Sequence, residues 1–287
     1  MPDPNRTGPL AGYRVLEFAT IIAAPMAAML MGDQGADVIK VEPPHGDNLR
    51  RSGAARGGVD LMGSIFMNVN RNKRSICLDL KNADHLDAAR RMAAQCDVVL
   101  QNYRPSVATR LGIGYERLRA LRDDIIYVSV SGLGDEGPFA DRRVYDIVIQ
   151  GMAGFVSVQA DPTTGEPRPI LQTIVDKITA LTIWQAATAA LLHRERTGEG
   201  QHVKINMLKA GLAFLWPDAM GNFTLEGEDV RPGATMADIS RVFLTADGSL
   251  MAGYVSDDEW QALCRALDRR DLADDARFQT IELRTVN

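Results

Sequence analysis

Asp176 stands where a carboxylate can do chemistry. It follows the apolar pair Ile174-Val175 and opens a stretch that carries Ile178, Leu181 and Ile183 at helical spacing. A carboxylate there meets free backbone N–H groups and the positive end of a helix dipole. On position alone it is either an ordinary helix cap or a carboxylate set apart for chemistry. Five basic residues, Lys81, Arg104, Arg110, Arg142 and Arg143, fall near the ends of strand-like runs. Open α/β sheets bind ligands beyond the carboxyl ends of their strands, and guanidinium forks suit phosphate. The pattern fits either an anionic ligand held by a local cluster or a solvated surface.

Other patterns carry less. Gly132, Gly134 and Gly137 match GxGxxG after a strand, but Pro138 and the polar run Asp141-Arg142-Arg143 follow where a dinucleotide-binding turn needs a helix. That fingerprint also belongs after the first strand. The first crossover, Ala19 to Pro25, has no glycine, although Glu42 ends the second strand where a ribose-binding acid would stand. A plain glycine-rich loop is expected. His45, His85, His193 and His202 are scattered over loops and helix surfaces and assemble no triad. Trp184 and the stripe of Met26, Met29 and Met31 read as core packing. Cys77, Cys96 and Cys264 offer no CxxC pair and no accompanying His spacing, so a reducing compartment is expected, with no disulfide framework and no zinc site.

The elements that must position these groups alternate in type. Tyr13 to Ala19 reads as a strand, Ala24 to Gly35 as a small-residue helix, and Ala36 to Val41 as a second strand stopped by Pro43-Pro44. A second round gives strands at Arg74 to Leu80, Asp97 to Gln101 and Ile125 to Ser131, with helices at Ala83 to Gln95 and Tyr115 to Arg122. Strands alternating with helices imply an α/β fold, a doubly wound parallel sheet with helices on both faces. Helices over Asp146 to Val158 and Asp176 to Arg196 follow, then a strand over Gln201 to Met207 and a helix around Lys209 to Met220. The polar segment 225–237 reads as a linker between a large domain, 1–224, and a small α+β domain, 238–287. In the small domain Arg241 to Ala246 and Ser249 to Val255 flank Asp247-Gly248, a two-residue hairpin signal, with a helix from Asp257 to Leu267.

The 287 residues carry 32 basic and 37 acidic side chains, a net charge of −5. That balance offers no global attraction to nucleic acid or anionic lipid. With 46% hydrophobic and 24% charged residues the chain can bury a sizeable core, which excludes disordered, collagen-like and coiled-coil classes. Met1 to Gly12 has a lone Arg6 and no apolar core of a secretory signal. The apolar stretches Ile21 to Met31 and Ile178 to Leu192 are interrupted or too short for a bilayer of roughly 30 Å. A soluble cytoplasmic protein is expected.

Seven stretches, in order, resemble the family III CoA-transferases, the CaiB/BaiF family: Val15 to Pro25 (VLEFATIIAAP), Gly35 to Pro43 (GADVIKVEP), Asn72 to Lys81 (NKRSICLDLK), Asp97 to Tyr115 (DVVLQNYRPSVATRLGIGY), Ile126 to Phe139 (IYVSVSGLGDEGPF), Tyr145 to Gly154 (YDIVIQGMAG) and Thr197 to Met207 (TGEGQHVKINM). The resemblance implies a Rossmann-like large domain, a small domain incomplete at Asn287, and a homodimer of interlocked chains. It implies CoA transfer from an acyl-CoA to a small carboxylic acid, with CoA as substrate and no permanently bound cofactor. The catalytic Asp of the family matches Asp176. Its CoA contacts match Ile22, Ala23, Leu78, Lys81, Asn102, Tyr103, Arg104, Arg110, Arg142, Arg143, Tyr145 and Met207.

Departures narrow the expectation. The formyl-CoA branch has Gln at Ile22, Arg at Pro43 and a glycine-rich loop not found between Ala234 and Gly253. The α-methylacyl-CoA racemases of the same fold pair the Asp with a His where this chain has Tyr145. A racemase or a non-catalytic CoA-binding fragment are the alternatives to a transferase.

Overall fold

The computed structural model of the chain describes residues 7–55, 61–161, 164–233, 240–253 and 256–287. Two compact units arise: Met1–Val156 with Arg168–Leu212, and Ser157–Pro167 with Ala213–Asn287. The change of unit at 212/213 thus precedes the polar segment 225–237, of which 234–237 lie outside the described residues.

The first unit is a parallel six-stranded sheet among the described residues. Its strands are β1 (Arg14–Phe18), β2 (Asp37–Glu42), β3 (Lys73–Cys77), β4 (Val98–Gln101), β5 (Ile126–Ser131) and β6 (Gln201–Asn206), in the order β3-β2-β1-β4-β5-β6. Apolar runs such as Ile126 to Val130 are continuous because both faces of a parallel sheet are covered. On one face α1 (Ala23–Asp33) and α8 (Ile174–Thr197) meet through Ala24, Ala27, Ala28, Ala180, Ala187 and Ala190. Small side chains let these two helices lie close over Val15, Val98 and Val128. The other face packs Leu16, Phe18, Val99 and Tyr127 against α3 (Ala83–Ala93) and α5 (Tyr115–Arg119) through Ala89, Ala93 and Leu118. The order reverses between β1 and β4, so their carboxyl ends diverge into a crevice.

Several local expectations change. In the first unit three helical segments were not foreseen: the 3-10 turn Asn48–Arg51, α2 (Ser64–Asn70) and α4 (Pro105–Arg110). The helix expected over Asp146 to Val158 is two, α6 (Asp146–Ala153) and α7 (Phe155–Val158), because Gly154 takes φ 95° and ends the first. Asp176 does not open α8, which begins at Ile174 with Thr173 as its cap residue. Strand β3 stops at Cys77, leaving Leu78 and Lys81 in the following turn.

Helix α9 (Met207–Ala219) follows β6 directly. The second unit has an antiparallel hairpin, β7 (Ser240–Leu244) with β8 (Ser249–Gly253), then α10 (Asp257–Ala266), α11 (Arg270–Ala273) and α12 (Ile281–Val286). The hairpin loop is four residues rather than two, since Leu244 pairs with Ser249 and Thr245 N–H bonds Gly248 O at 3.0 Å. Ser256 and Glu259 form a reciprocal capping box on α10. Trp260 packs against Phe278 at 5.6 Å, and Arg284 pairs with Asp257. The expected strand residues Tyr254 and Val255, and residues 234–239 ahead of β7, lie outside the described residues.

Candidate active site

After β1 the chain must turn at once into α1. Ile21 does so with φ 71°, a left-handed conformation that β-branched residues seldom adopt. Two side chains hold the turn. Asn102, after β4, donates from Nδ2 to Thr20 O at 2.7 Å and accepts from Thr20 N–H at 3.1 Å. Asp47 accepts from Ile21 N–H at 3.4 Å and Leu49 N–H at 3.0 Å. Beneath them lies a buried ionic group: Lys40 Nζ sits 2.7 Å from Glu17 and 3.2 Å from Asp47, and Lys73 Nζ sits 2.7 Å from Glu17. Burial pushes Glu17 up, but the two ammonium groups outweigh it and hold its carboxyl below the usual range. Desolvation and the nearby Lys40 bring Lys73 down to about 8 despite Glu17.

At the carboxyl ends of β1, β4 and β5 a cavity of about 350 Å³ opens. Ala23 at the start of α1, Asn102, Tyr103 and Arg104 after β4, and Ser131 and Gly132 at the end of β5 line it. Arg142, Arg143 and Tyr145 close it from the loop before α6, with Met207 and Asp176 behind. Arg142 stacks on Phe139 at 5.6 Å, Arg143 on Tyr145 at 5.2 Å, and Arg104 donates to Asp141 O at 3.2 Å. Three guanidinium groups thus face one crevice.

Asp176 is only 7% exposed in the first turn of α8. Thr173 supplies no side-chain cap; Asp146, from α6, accepts the Asp176 backbone N–H at 2.9 Å instead. Desolvation, and then the negative charge of Asp146, raise the Asp176 carboxyl to about 7. A carboxylate held that high is more basic and more nucleophilic than one in water, and still partly ionised at neutral pH. Asp146 was not singled out from the sequence; an acid at a helix start is too common to stand out.

The remaining expected contacts lie elsewhere. Leu78 and Lys81 line a smaller cavity of about 110 Å³ with Val41 and Pro43; Tyr103 lines both cavities. Ile22 turns its side chain toward Leu49, Phe66 and Val69. Arg110 is exposed in the last turn of α4 and lines neither cavity.

The weaker sequence patterns resolve as follows. Gly132 lies where a Cβ would run into Val144, and no helix follows Gly137, so the glycine run is a packed loop. Glu42 cannot receive a ribose: Arg50 grips it through both nitrogens at 2.7 and 2.6 Å, and Ser75 donates at 2.8 Å. Despite burial, these bonds bring Glu42 down to about 2. His202 is not a surface residue, unlike the exposed His45 and His85. It is half-buried, stacks on Tyr115 at 4.4 Å, bonds Ser129 Oγ at 2.9 Å, and its pKa is lowered by burial. No group of His, Cys, Asp and Glu among the described residues is arranged to hold a metal ion. No helix among them is long and apolar enough to cross a membrane.

The sequence pattern of CoA-transferase family III matches residues 10–287. This chain belongs to CoA-transferase family III. Within the family it is 37% identical to the succinate–glutarate CoA-transferase of Agrobacterium fabrum over 99% of its own length and 72% of that protein's. It is 34% identical to the succinyl-CoA:glutarate CoA-transferase of Mus musculus, covering 99% of its own length and 65% of that protein's. A solved CaiB/BaiF family protein from Brucella suis superposes with a TM-score of 0.83 at 33% identity, over 98% of this chain and 75% of that one. The chain therefore spans about two thirds to three quarters of the family relatives it matches.

Proposed function

We propose that the protein transfers CoA between carboxylic acids, with Asp176 as the nucleophile. The observation that carries this reading is a buried carboxylate raised to about 7, at the wall of a crevice that three arginines face. An Asp176 oxygen attacks the acyl-CoA carbonyl; the C–S bond breaks and the thiolate leaves, giving an aspartyl mixed anhydride. The thiolate then attacks the aspartyl carbonyl, expels the first carboxylate and forms an aspartyl thioester. An acceptor carboxylate attacks that thioester, and the returning thiolate takes the new acyl group and frees Asp176. Each step exchanges one activated acyl bond for another of similar energy, so no step is steeply uphill. The N–H groups at the start of α1 are placed to receive developing oxyanion charge.

CoA and its thioester enter as substrates. The arginines suit its phosphates, with Leu78 and Lys81 beyond Tyr103 as a further contact. The names of the Agrobacterium and mouse relatives support short dicarboxylic acids, succinate and glutarate, as the acyl class. Tyr145 lacks the imidazole that a racemase needs for proton delivery, which favours transfer over α-proton exchange. A homodimer belongs to the same reading and is checked by light scattering.

The deciding experiment incubates the protein with succinyl-CoA, traps with hydroxylamine or borohydride, and maps the modified peptide by mass spectrometry. Modification at Asp176, with CoA appearing on added glutarate, supports the reading. Labelling at another carboxylate with Asp176→Ala still active would sink it. Deuterium entering the α-carbon of a 2-methylacyl-CoA faster than CoA moves would favour the racemase.

A further inference from the structure

Gln150 lies one turn after Asp146 on α6 and is 1% exposed. A glutamine within a short helix is usually solvated; this one is buried with its amide fully engaged. One Nε2 N–H donates to Asp146 Oδ1 at 2.6 Å and the other is shared between Gln172 O at 3.0 Å and Ile170 O at 3.2 Å, while Oε1 accepts from Ile170 N–H at 3.0 Å. All these partners lead to the start of α8.

Two freedoms would otherwise misplace the nucleophile. The Asp146 carboxylate can rotate about its last torsion, which is broad for this side chain. With Oδ1 taken by Gln150, Oδ2 faces the Asp176 N–H. The chain from Ile170 to Thr173 also needs an anchor, since Thr173 makes no side-chain cap that would set where α8 begins. Gln150 bonds this stretch on both sides of Leu171, itself 92% exposed.

We infer that Gln150 is a positioning residue for the nucleophile, fastening the Asp146 carboxylate and the 170–172 segment so that Asp146 caps α8 beside Asp176. The inference rests on the transferase reading for its catalytic consequence. The charged and titratable groups that line the same cavity as Asp176 are Asp146 from α6, Arg142, Arg143 and Tyr145 from the preceding loop, and Tyr103 and Arg104 after β4, and of these Asp146 is the one whose charge raises the Asp176 carboxyl. Lys177, next on α8, is occupied with Gln172 Oε1 at 2.8 Å. Only Asp146 in this set is bonded to Gln150.

The test is Gln150→Met, close in volume, read by kinetics and by the titration of Asp176 in carboxyl-selective NMR. The expected result is kcat lowered roughly tenfold or more, as small misplacements produce, with the KM for acyl-CoA within about twofold. The Asp176 titration should move to lower pH, because the Asp146 carboxylate, no longer fastened, swings away from it. In an Asp146→Asn background the same Gln150→Met change should leave that titration where it is. If Gln150→Met does not fold, Gln150→His, which keeps one N–H donor, carries the same two readouts and the same expected directions. A folded variant whose Asp176 titration is unmoved, or moves equally in both backgrounds, overturns the inference. Absence of CoA transfer in the unaltered protein would instead remove the functional reading, while the titration would still decide the place of Gln150.

Discussion

Glu17 and Asp47 are buried with lysines, whereas Asp176 and Asp146 are buried with each other. The first group is electrically closed: two carboxylates, two ammonium groups and no net charge. Its bonds reach β1, β2, β3 and the turn at Ile21. In the second group no ion pair reaches either carboxylate among the described residues. Two buried acids side by side, with Asp146 held as the acceptor of the Asp176 N–H, leave Asp176 costly to ionise. Burial with partners makes a scaffold, and burial without them stores reactivity.

The comparison breaks most visibly at the nucleophile. Asp176→Asn should lower CoA transfer by at least roughly a thousandfold while CoA binding in calorimetry changes little, as expected for a group acting mainly in the transition state. The same substitution in a scaffold acid should act on stability instead. Glu17→Gln leaves Lys40 and Lys73 without their shared anion, which should cost about 3–5 kcal/mol in urea unfolding. Comparable loss of activity with unchanged stability would mean that the ionic group takes part in chemistry.

The acid pair makes a prediction with a definite sign. Burial and the charge of Asp146 raise the Asp176 carboxyl to about 7 in the folded protein, from an ordinary value of 3.8. Its protonated form is therefore favoured by folding, and its contribution to stability is full below pH 4 and lost as pH rises through 7. Asp176→Asn should accordingly stabilise the protein more at pH 8 than at pH 4, by up to about 4 kcal/mol, seen as a higher Tm. Catalysis should run the opposite way, with kcat/KM rising through about 7 as the nucleophile ionises. A flat profile from pH 5 to 8 would show that the carboxyl of Asp176 in the free enzyme is not raised.

The smallest effects are expected at the surface cations. Arg104→Ala should weaken CoA binding roughly tenfold, since a charge-assisted bond is worth about 1.5–3 kcal/mol. Arg110→Ala should do the same if the bound nucleotide reaches beyond Tyr103 to the end of α4. Equal affinity for Arg110→Ala and the unaltered protein would confine the anion site to the crevice.

The sheet was legible because continuous apolar runs such as Ile126 to Val130 and their intervening helices follow a period that burial on two faces imposes. Asp176 was legible as a helix-start acid, though two residues of the helix precede it, because Ile174 and Val175 look the same in a strand. Helix α4 was missed since six residues beginning with Pro105 carry too little periodicity to stand out. Asp146 and Gln150 were illegible as a pair with Asp176, their importance arising only from a backbone N–H some thirty residues on. The tension at Ile21 and the burial of His202 are likewise products of tertiary packing, with no local sequence signal.

Helix α8 reaches from the crevice to the opposite, amino-terminal ends of the strands. Its last turns are moored there by Arg194, 3.0 Å from Asp97, which also accepts the Arg14 N–H at 2.8 Å and pairs with Arg122. The eighteen residue steps from Asp176 to Arg194 make a strut of about 27 Å. The axial setting of the nucleophile is thus referenced to the far rim, where β1 and β4 begin. Loosening that mooring would let the whole rod slide or turn as one body, so a change remote from any substrate would register in the crevice as a displaced carboxylate.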